Sequence, residues 1–185
     1  MSKKIFISHS SKDKEIVNSF VENILIGALE ISSSDIFNTS GYGTGIEPGL
    51  DWRQAIKENL EVADIVIQFD SVNYIESSIC QSEIGAAEFM GKVIIPIIIP
   101  PLTFSDSGVL TCIKQIEIID SSDGLDNIKD SIVKIMNLDA NELKTQRWNR
   151  KKREFLNDIS SILQKKCKKR VFEFKDKILN AFLAI

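Results

Sequence analysis

The residues able to do chemistry gather in one short run. Ser77, Ser78, Cys80, Gln81 and Glu83 lie between two strongly apolar stretches, residues 64–70 and 93–99. Strand, helix, strand is the pattern of a parallel sheet. The run opens the helix, just past the end of the first strand. In open α/β sheets ligands bind outside the carboxyl ends of the strands, so a carboxylate at Glu83 stands about where a ligand would lie. Two accounts of it remain open at this point. It is a working carboxylate, or it is an acid favoured near a helix N-terminus by about 0.3–1 kcal/mol of dipole interaction. Other chemistries find no support. There is neither a G-x-G-x-x-G after a strand nor a Walker lysine. The three cysteines (Cys80, Cys112, Cys167) are far apart and form no C-x-x-C pair for zinc or disulfide framework. His9 is the only histidine.

The elements that must position Glu83 follow from pattern. Residues 4–8 read as a short buried strand ending in Ser8, His9, Ser10 and Ser11, hydroxyl residues suited to a turn and a helix cap. A helix over 13–29 has Ile16, Val17, Phe20, Val21, Ile24 and Leu25 at helical spacing. Residues 35–37 form a second strand. The stretch 38–49 holds four glycines and a proline; it is neither helix nor regular strand, and it is long for a βα loop of about 2–6 residues. It reads as a binding loop or as a plain surface excursion. Asp51 caps a helix running to about Leu60, with Trp52, Ile56 and Leu60 on one face. Residues 64–70 and 93–99 are the third and fourth strands; Pro96 pushes the latter toward an edge or a bulge. Residues 116–119 are a fifth strand, and 123–136 a helix with a stripe of Leu125, Ile128, Ile132 and Ile135. Five strands alternating with helices predict an α/β, flavodoxin-like, doubly wound five-stranded parallel sheet.

Charge divides the chain. Residues 1–137 carry 10 Lys+Arg against 20 Asp+Glu, and residues 138–185 carry 13 against 6, within a net charge of −3. A boundary near 138 follows, with a basic helical C-terminal extension over 138–185. The extension reads as two helices. One bears Trp148, Phe155, Ile159 and Ile162; the other bears Val171, Phe174, Ile178, Phe182 and Ile185. These stripes need burial on the domain, on each other or on a partner. The acidic body argues against nucleic-acid binding. The opening residues show no apolar signal core, and residues 93–99 fall short of the ~20 needed to span a bilayer. A cytoplasmic protein without membrane contact is therefore expected.

Five boxes, in order, resemble a TIR (Toll/interleukin-1 receptor) domain of the bacterial kind over residues 3–137. They are Phe-Ile-Ser-His-Ser-Ser-Lys-Asp at 6–13, the stretch 46–56 leading through Trp52 to Ile56, and the apolar strand followed by S-x-N-Y-x-x-S at 71–77. The other two are C-x-x-E at 80–83 and Gly-Lys-Val-Ile-Ile-Pro-Ile from Gly91. The resemblance implies the TIR fold and, in many members, NAD+ cleavage at the nicotinamide–ribose bond with NAD+ as substrate and no cofactor. It places the catalytic glutamate on Glu83. A tryptophan usually stands four residues earlier; here that residue is Ile79.

That chemistry suits a single carboxylate. Glycosidic cleavage passes through an oxocarbenium-like state. Nicotinamide leaves NAD+ as a neutral molecule, so no acid need protonate it. What remains is to hold the ribose and stabilise charge at its anomeric carbon. The same resemblance assigns binding contacts to Ser8, His9, Asn38, Gly43, Trp52, Arg53 and Cys80. A helical tryptophan such as Trp52 is more often a core residue, and Arg53 reads equally as an exposed one. Self-association through TIR–TIR contacts is implied, as is a product, ADP-ribose or a cyclic form, read by a downstream effector. A Thoeris-like antiphage system is the nearest analogy. The other readings are a non-catalytic interaction module and a nucleoside deoxyribosyltransferase-like domain using a covalent glutamate.

Overall fold

The computed structural model describes residues 3–38, 52–105, 116–139 and 143–183, with side chains at 3–38, 54–105, 116–139 and 143–167. Strands β1 (Ile5–Ser8), β2 (Ile36–Asn38), β3 (Ile65–Asp70), β4 (Val93–Ile98) and β5 (Glu117–Ile118) form one parallel sheet in the order β2-β1-β3-β4-β5. The doubly wound five-stranded architecture expected from the sequence is the one observed. Its strands are runs of Ile, Val and Phe because both faces are covered.

Pro96 was expected to mark an edge or a bulge. β4 is an internal strand, paired to β3 along its whole length and to β5 only at Ile97 and Ile98. The side facing β5 therefore carries no ladder at Pro96 among the described residues, and the missing N–H is tolerated there.

Helix α1 (Lys14–Phe20) winds on as a π-helix over Val21–Ala28, where a single α-helix was expected. A Cβ at Gly27 would lie 2.6 Å from the Glu22 carbonyl oxygen and 3.2 Å from Lys151 Cδ, so this winding requires glycine there. Then follow α2 (Trp52–Val62), α3 (Val72–Ile75), α4 (Ser78–Phe89), α5 (Ser122–Met136) and α6 (Thr145–Leu183). Ser71, Ser77 and Ser121 cap α3, α4 and α5, each side chain accepting from the amide three residues on.

Alternation along the strands sorts the core. Ile5, Ile7, Ile65, Ile67, Phe69, Ile95 and Ile97 pack against α1, α5 and α6. Phe6, Val66 and Ile94 face α2 and α4.

The tail corrects an expectation. It is one helix of 39 residues, not two. Its N-terminal half belongs to the domain core: Trp148, Phe155, Ile159 and Ile162 are buried against α1 and the sheet. Arg147 donates to the Gly27 carbonyl at 2.6 Å and pairs with Glu30. Trp148 Nε1 and Lys152 Nζ both reach Asp126 of α5 at 2.7 Å. Among the described residues no helix is long and apolar enough to cross a membrane.

Candidate active site at the carboxyl edge of the sheet

β1 and β3 are neighbours, and the chain leaves them toward opposite sides of the sheet. The crevice between their carboxyl ends is the place where this architecture binds ligands. Ser8 ends β1, in register with Gln68 of β3. It shares the Phe6 side of the sheet, the side covered by α2 and α4. Ser77 caps α4 at the Cys80 amide, 3.3 Å away, which starts the helix directly over that crevice. Glu83 then comes one turn in and points back at the strand end.

The contact is direct. Ser8 Oγ donates to Glu83 Oε2 at 2.9 Å. Ser8 has one hydroxyl proton, so at its 3.0 Å contact with the Tyr74 hydroxyl the phenol is the donor. The phenol also has a single proton, so it shares that proton between Ser8 Oγ and the Cys80 carbonyl, 3.3 Å away. Glu83 is half-buried, and burial pushes its carboxyl up to about 7; the Ser8 hydrogen bond opposes that rise by favouring the charged form. Tyr74 is fully buried and its phenol is raised far above the usual range by burial, so it acts only as a neutral hydrogen-bonding group. Asp70, at the end of β3, is pushed up to about 6 by burial, against an opposing 2.6 Å hydrogen bond from the Gln68 amide.

A cavity of about 390 Å³ opens beside Glu83, between α2 and α4. Its walls include Ile56, Leu60, Ile79 and Ala86, with Lys57 and Ser82 supplying polar atoms. Ile79 is 48% exposed at its edge. The arrangement is a mostly apolar slot with one carboxylate at its rim, suited to a flat ring beside a developing positive charge.

The other residues singled out from the sequence fall in different places. His9 is buried, and burial lowers its imidazole to about 4, so it is neutral. Asn38 is buried on the far side of the sheet, where its amide donates to Asn18 Oδ1 of α1 at 3.0 Å. The structure does not bring it to Glu83. Cys80 is buried, and burial raises its thiol, so its contribution is its backbone. The backbone of Trp52 opens α2 and Arg53 follows it; their side chains, together with Gly43, Asp51 and nearly all of the long loop, lie outside the described residues. Sequence reasoning assigned no role to Tyr74. The signal was present in the S-x-N-Y box, where Ser71 caps α3 through the Tyr74 amide at 3.0 Å and so aims the phenol.

Comparison with known proteins agrees with this fold. The chain is 34% identical over 155 residues to the uncharacterized protein YddK of Bacillus subtilis (strain 168), covering 84% of this chain. The chain spans about 56% of that relative's length. The fold is similar to the TIR domain of the Toll-related receptor TRR-2 from Hydra magnipapillata, with TM-score 0.56 and 17% identity over 72% of this chain and 97% of that one. The family model for the TIR domain matches residues 5–136. The YddK similarity is longer than this match, so it runs on into α6. On these grounds the chain belongs to the TIR domain family.

Proposed function

We propose that this TIR domain cleaves NAD+ at the nicotinamide–ribose bond, with Glu83 as its catalytic residue. The observation that supports this most is the Ser8–Glu83 hydrogen bond, which fixes a half-buried carboxylate over the ligand crevice. The ribose hydroxyls donate to Glu83, and its charge stabilises the oxocarbenium ion as the C–N bond lengthens. Nicotinamide takes the bonding pair and leaves neutral. Water then captures the anomeric carbon and releases a proton to solvent to give ADP-ribose, or a nucleophilic atom of the same ADP-ribosyl cation captures it to give a cyclic form. We read the product as a signal to a downstream effector in a bacterial antiphage system.

The reaction needs Glu83 ionised. Its carboxyl sits at about 7 in the free protein, so kcat/KM is expected to climb by about tenfold per pH unit below that value and to level off above it. The cationic pyridinium of bound NAD+ pulls the carboxyl down, so kcat should bend at lower pH than kcat/KM. A kcat/KM profile flat from about pH 5 to about pH 8 would remove Glu83 from the rate-determining step.

We further propose that assembly completes the site, as the family resemblance implies. Nicotinamide release, followed chromatographically, is then expected to rise faster than linearly with protein concentration. Strict proportionality would count against it.

One observation favours the interaction-module reading instead. Ile79 is half exposed, and Phe89 of the same helix is 94% exposed. Apolar side chains this open suit a docking face. Absence of NAD+ turnover at every concentration would move that reading to first place.

A further inference from the structure

Asp13 is an acid that the proposed chemistry does not use. It is 2% exposed, directly after the turn that leaves β1. A carboxylate buried that deeply needs partners. It has three, from two other parts of the chain. Ser71 Oγ donates to Oδ2 at 2.5 Å, and Asn73 Nδ2 donates to Oδ1 at 3.0 Å. The third is Lys166 Nζ, 2.7 Å from Oδ1, which also donates to the Lys12 carbonyl at 3.1 Å. Lys166 comes from α6, outside the segment matched to the TIR family.

The same two loops build the site. The loop after β1 begins at Ser8. The loop after β3 holds Ser71 and Asn73, and leads to Tyr74, whose phenol holds Ser8. Ser8 in turn holds Glu83. An unbroken series of hydrogen bonds thus runs from the tail helix through Asp13, the Ser71–Tyr74 turn and Ser8 to Glu83. We propose that Lys166 is a positioning residue for Glu83: by clamping Asp13 it locks the two loops together and fixes the direction from which Ser8 reaches the carboxylate. The functional weight of this rests on Glu83 being the catalytic group; the positioning itself does not. The groups facing Glu83 are Ser8, Tyr74, Cys80 on its own helix and Lys57 across the slot, while Asp70 from β3 acts on Tyr74. Lys166 bonds to Asp13 and to the Lys12 carbonyl; loss of its charge also acts on Glu83 through space, and the neutral substitution Asn73→Ala separates that effect from the positioning.

The test is a carboxyl 13C NMR titration of Glu83 in the full chain, with assignment by Glu83→Gln. Ser8→Ala sets the effect of losing the last link. It is expected to raise the Glu83 midpoint, because the Ser8 bond favours the charged form. Lys166→Met, which keeps the aliphatic stem, is expected to move the midpoint the same way by about half a pH unit or more. Lys166→Arg should restore it. Asn73→Ala leaves the Ser71 link in place but removes the second bond by which the segment after β3 holds Asp13; a loosened clamp should shift the midpoint likewise without any change of charge, and this variant decides the matter if the methionine variant fails to fold. Wild-type titration in both Lys166→Met and Asn73→Ala would overturn the proposal, as would a Ser8→Ala variant that titrates like wild type. The titration needs no turnover. If wild type leaves NAD+ intact while Lys166→Met still moves Glu83, the cleavage reading fails and the positioning role stands.

Discussion

Glu83→Gln is expected to lose NAD+ cleavage by about 10²–10³-fold or more, the scale seen when a group that stabilises transition-state charge is removed. Glutamine keeps the volume and can still accept from Ser8, so the loss reports charge and not collapse of the slot. The same variant should be the more stable protein at high pH. In the wild type the folded-state carboxyl is raised from 4.5 to about 7, so the native chain binds that proton more tightly than the unfolded chain does. The stabilisation this gives is complete below pH 4.5 and is lost as pH rises through about 7. At about pH 9 the wild type therefore carries a burial cost, at most about 3 kcal/mol, that glutamine does not. Nicotinamide release and urea midpoints at about pH 5 and about pH 9 read both effects. Equal turnover by the two proteins would mean that another group does the chemistry. Loss of turnover together with loss of stability at both pH values would mean only that the variant misfolds.

Phe155→Ala is expected to cost about 3–5 kcal/mol, a large part of the ~5–15 kcal/mol by which domains are stable. Phe155 is fully buried and meets Phe20 edge-on, with ring centroids 5.7 Å apart at 79°. Phe20 meets Phe69 of β3 in the same way, at 5.3 Å and 77°. Aromatic packing thus continues from the tail helix through α1 to the sheet, and truncation opens a cavity in the middle of it. Urea denaturation of the full chain measures this. A loss below about 1 kcal/mol would place α6 on the surface as a dispensable attachment. By the same reasoning, removing residues 138–185 should unfold the domain and not merely change its assembly.

How far the sequence could be read is clearest in the tail. The apolar stripe of its first part, Trp148, Phe155, Ile159 and Ile162, is buried as expected, while the second stripe from Val171 on lies outside the described side chains; the two stripes read as two helices on either side of the basic run from Lys165 to Arg170, with Cys167 as its one uncharged residue. A run of charge does not by itself end a helix. Ending one takes a residue such as Gly or Pro, and 145–183 has neither. The strands were legible because runs such as Ile65–Asp70 admit no exposed face. Pro96 misled because pairing on one side of a strand can stop before the strand does. At the site, Glu83 was legible from its place after a strand. Asn38 was not, because its end of β2 faces the crevice while its side chain turns to Asn18 on the opposite face. Parity along a strand three residues long cannot be read from sequence without knowing where it starts. The π-helix left no trace in the periodicity, since eight residues are too few to separate the two windings.

The unequal two faces of the sheet have a consequence for motion. Ser8 stands on β1, whose Ile5 and Ile7 are sealed under α1, α5 and α6. Glu83 stands on α4, which with α2 is held, among the described residues, by a smaller apolar patch that includes Phe6, Val66 and Ile94. Local opening draws on the least buried layer first. The two ends of the Ser8–Glu83 hydrogen bond therefore stand on different packed layers. Opening of the α2–α4 layer is expected to cost less than global unfolding and to break the Ser8–Glu83 bond while the β1 end stays fixed, so amide exchange in α4 should outpace that in β1.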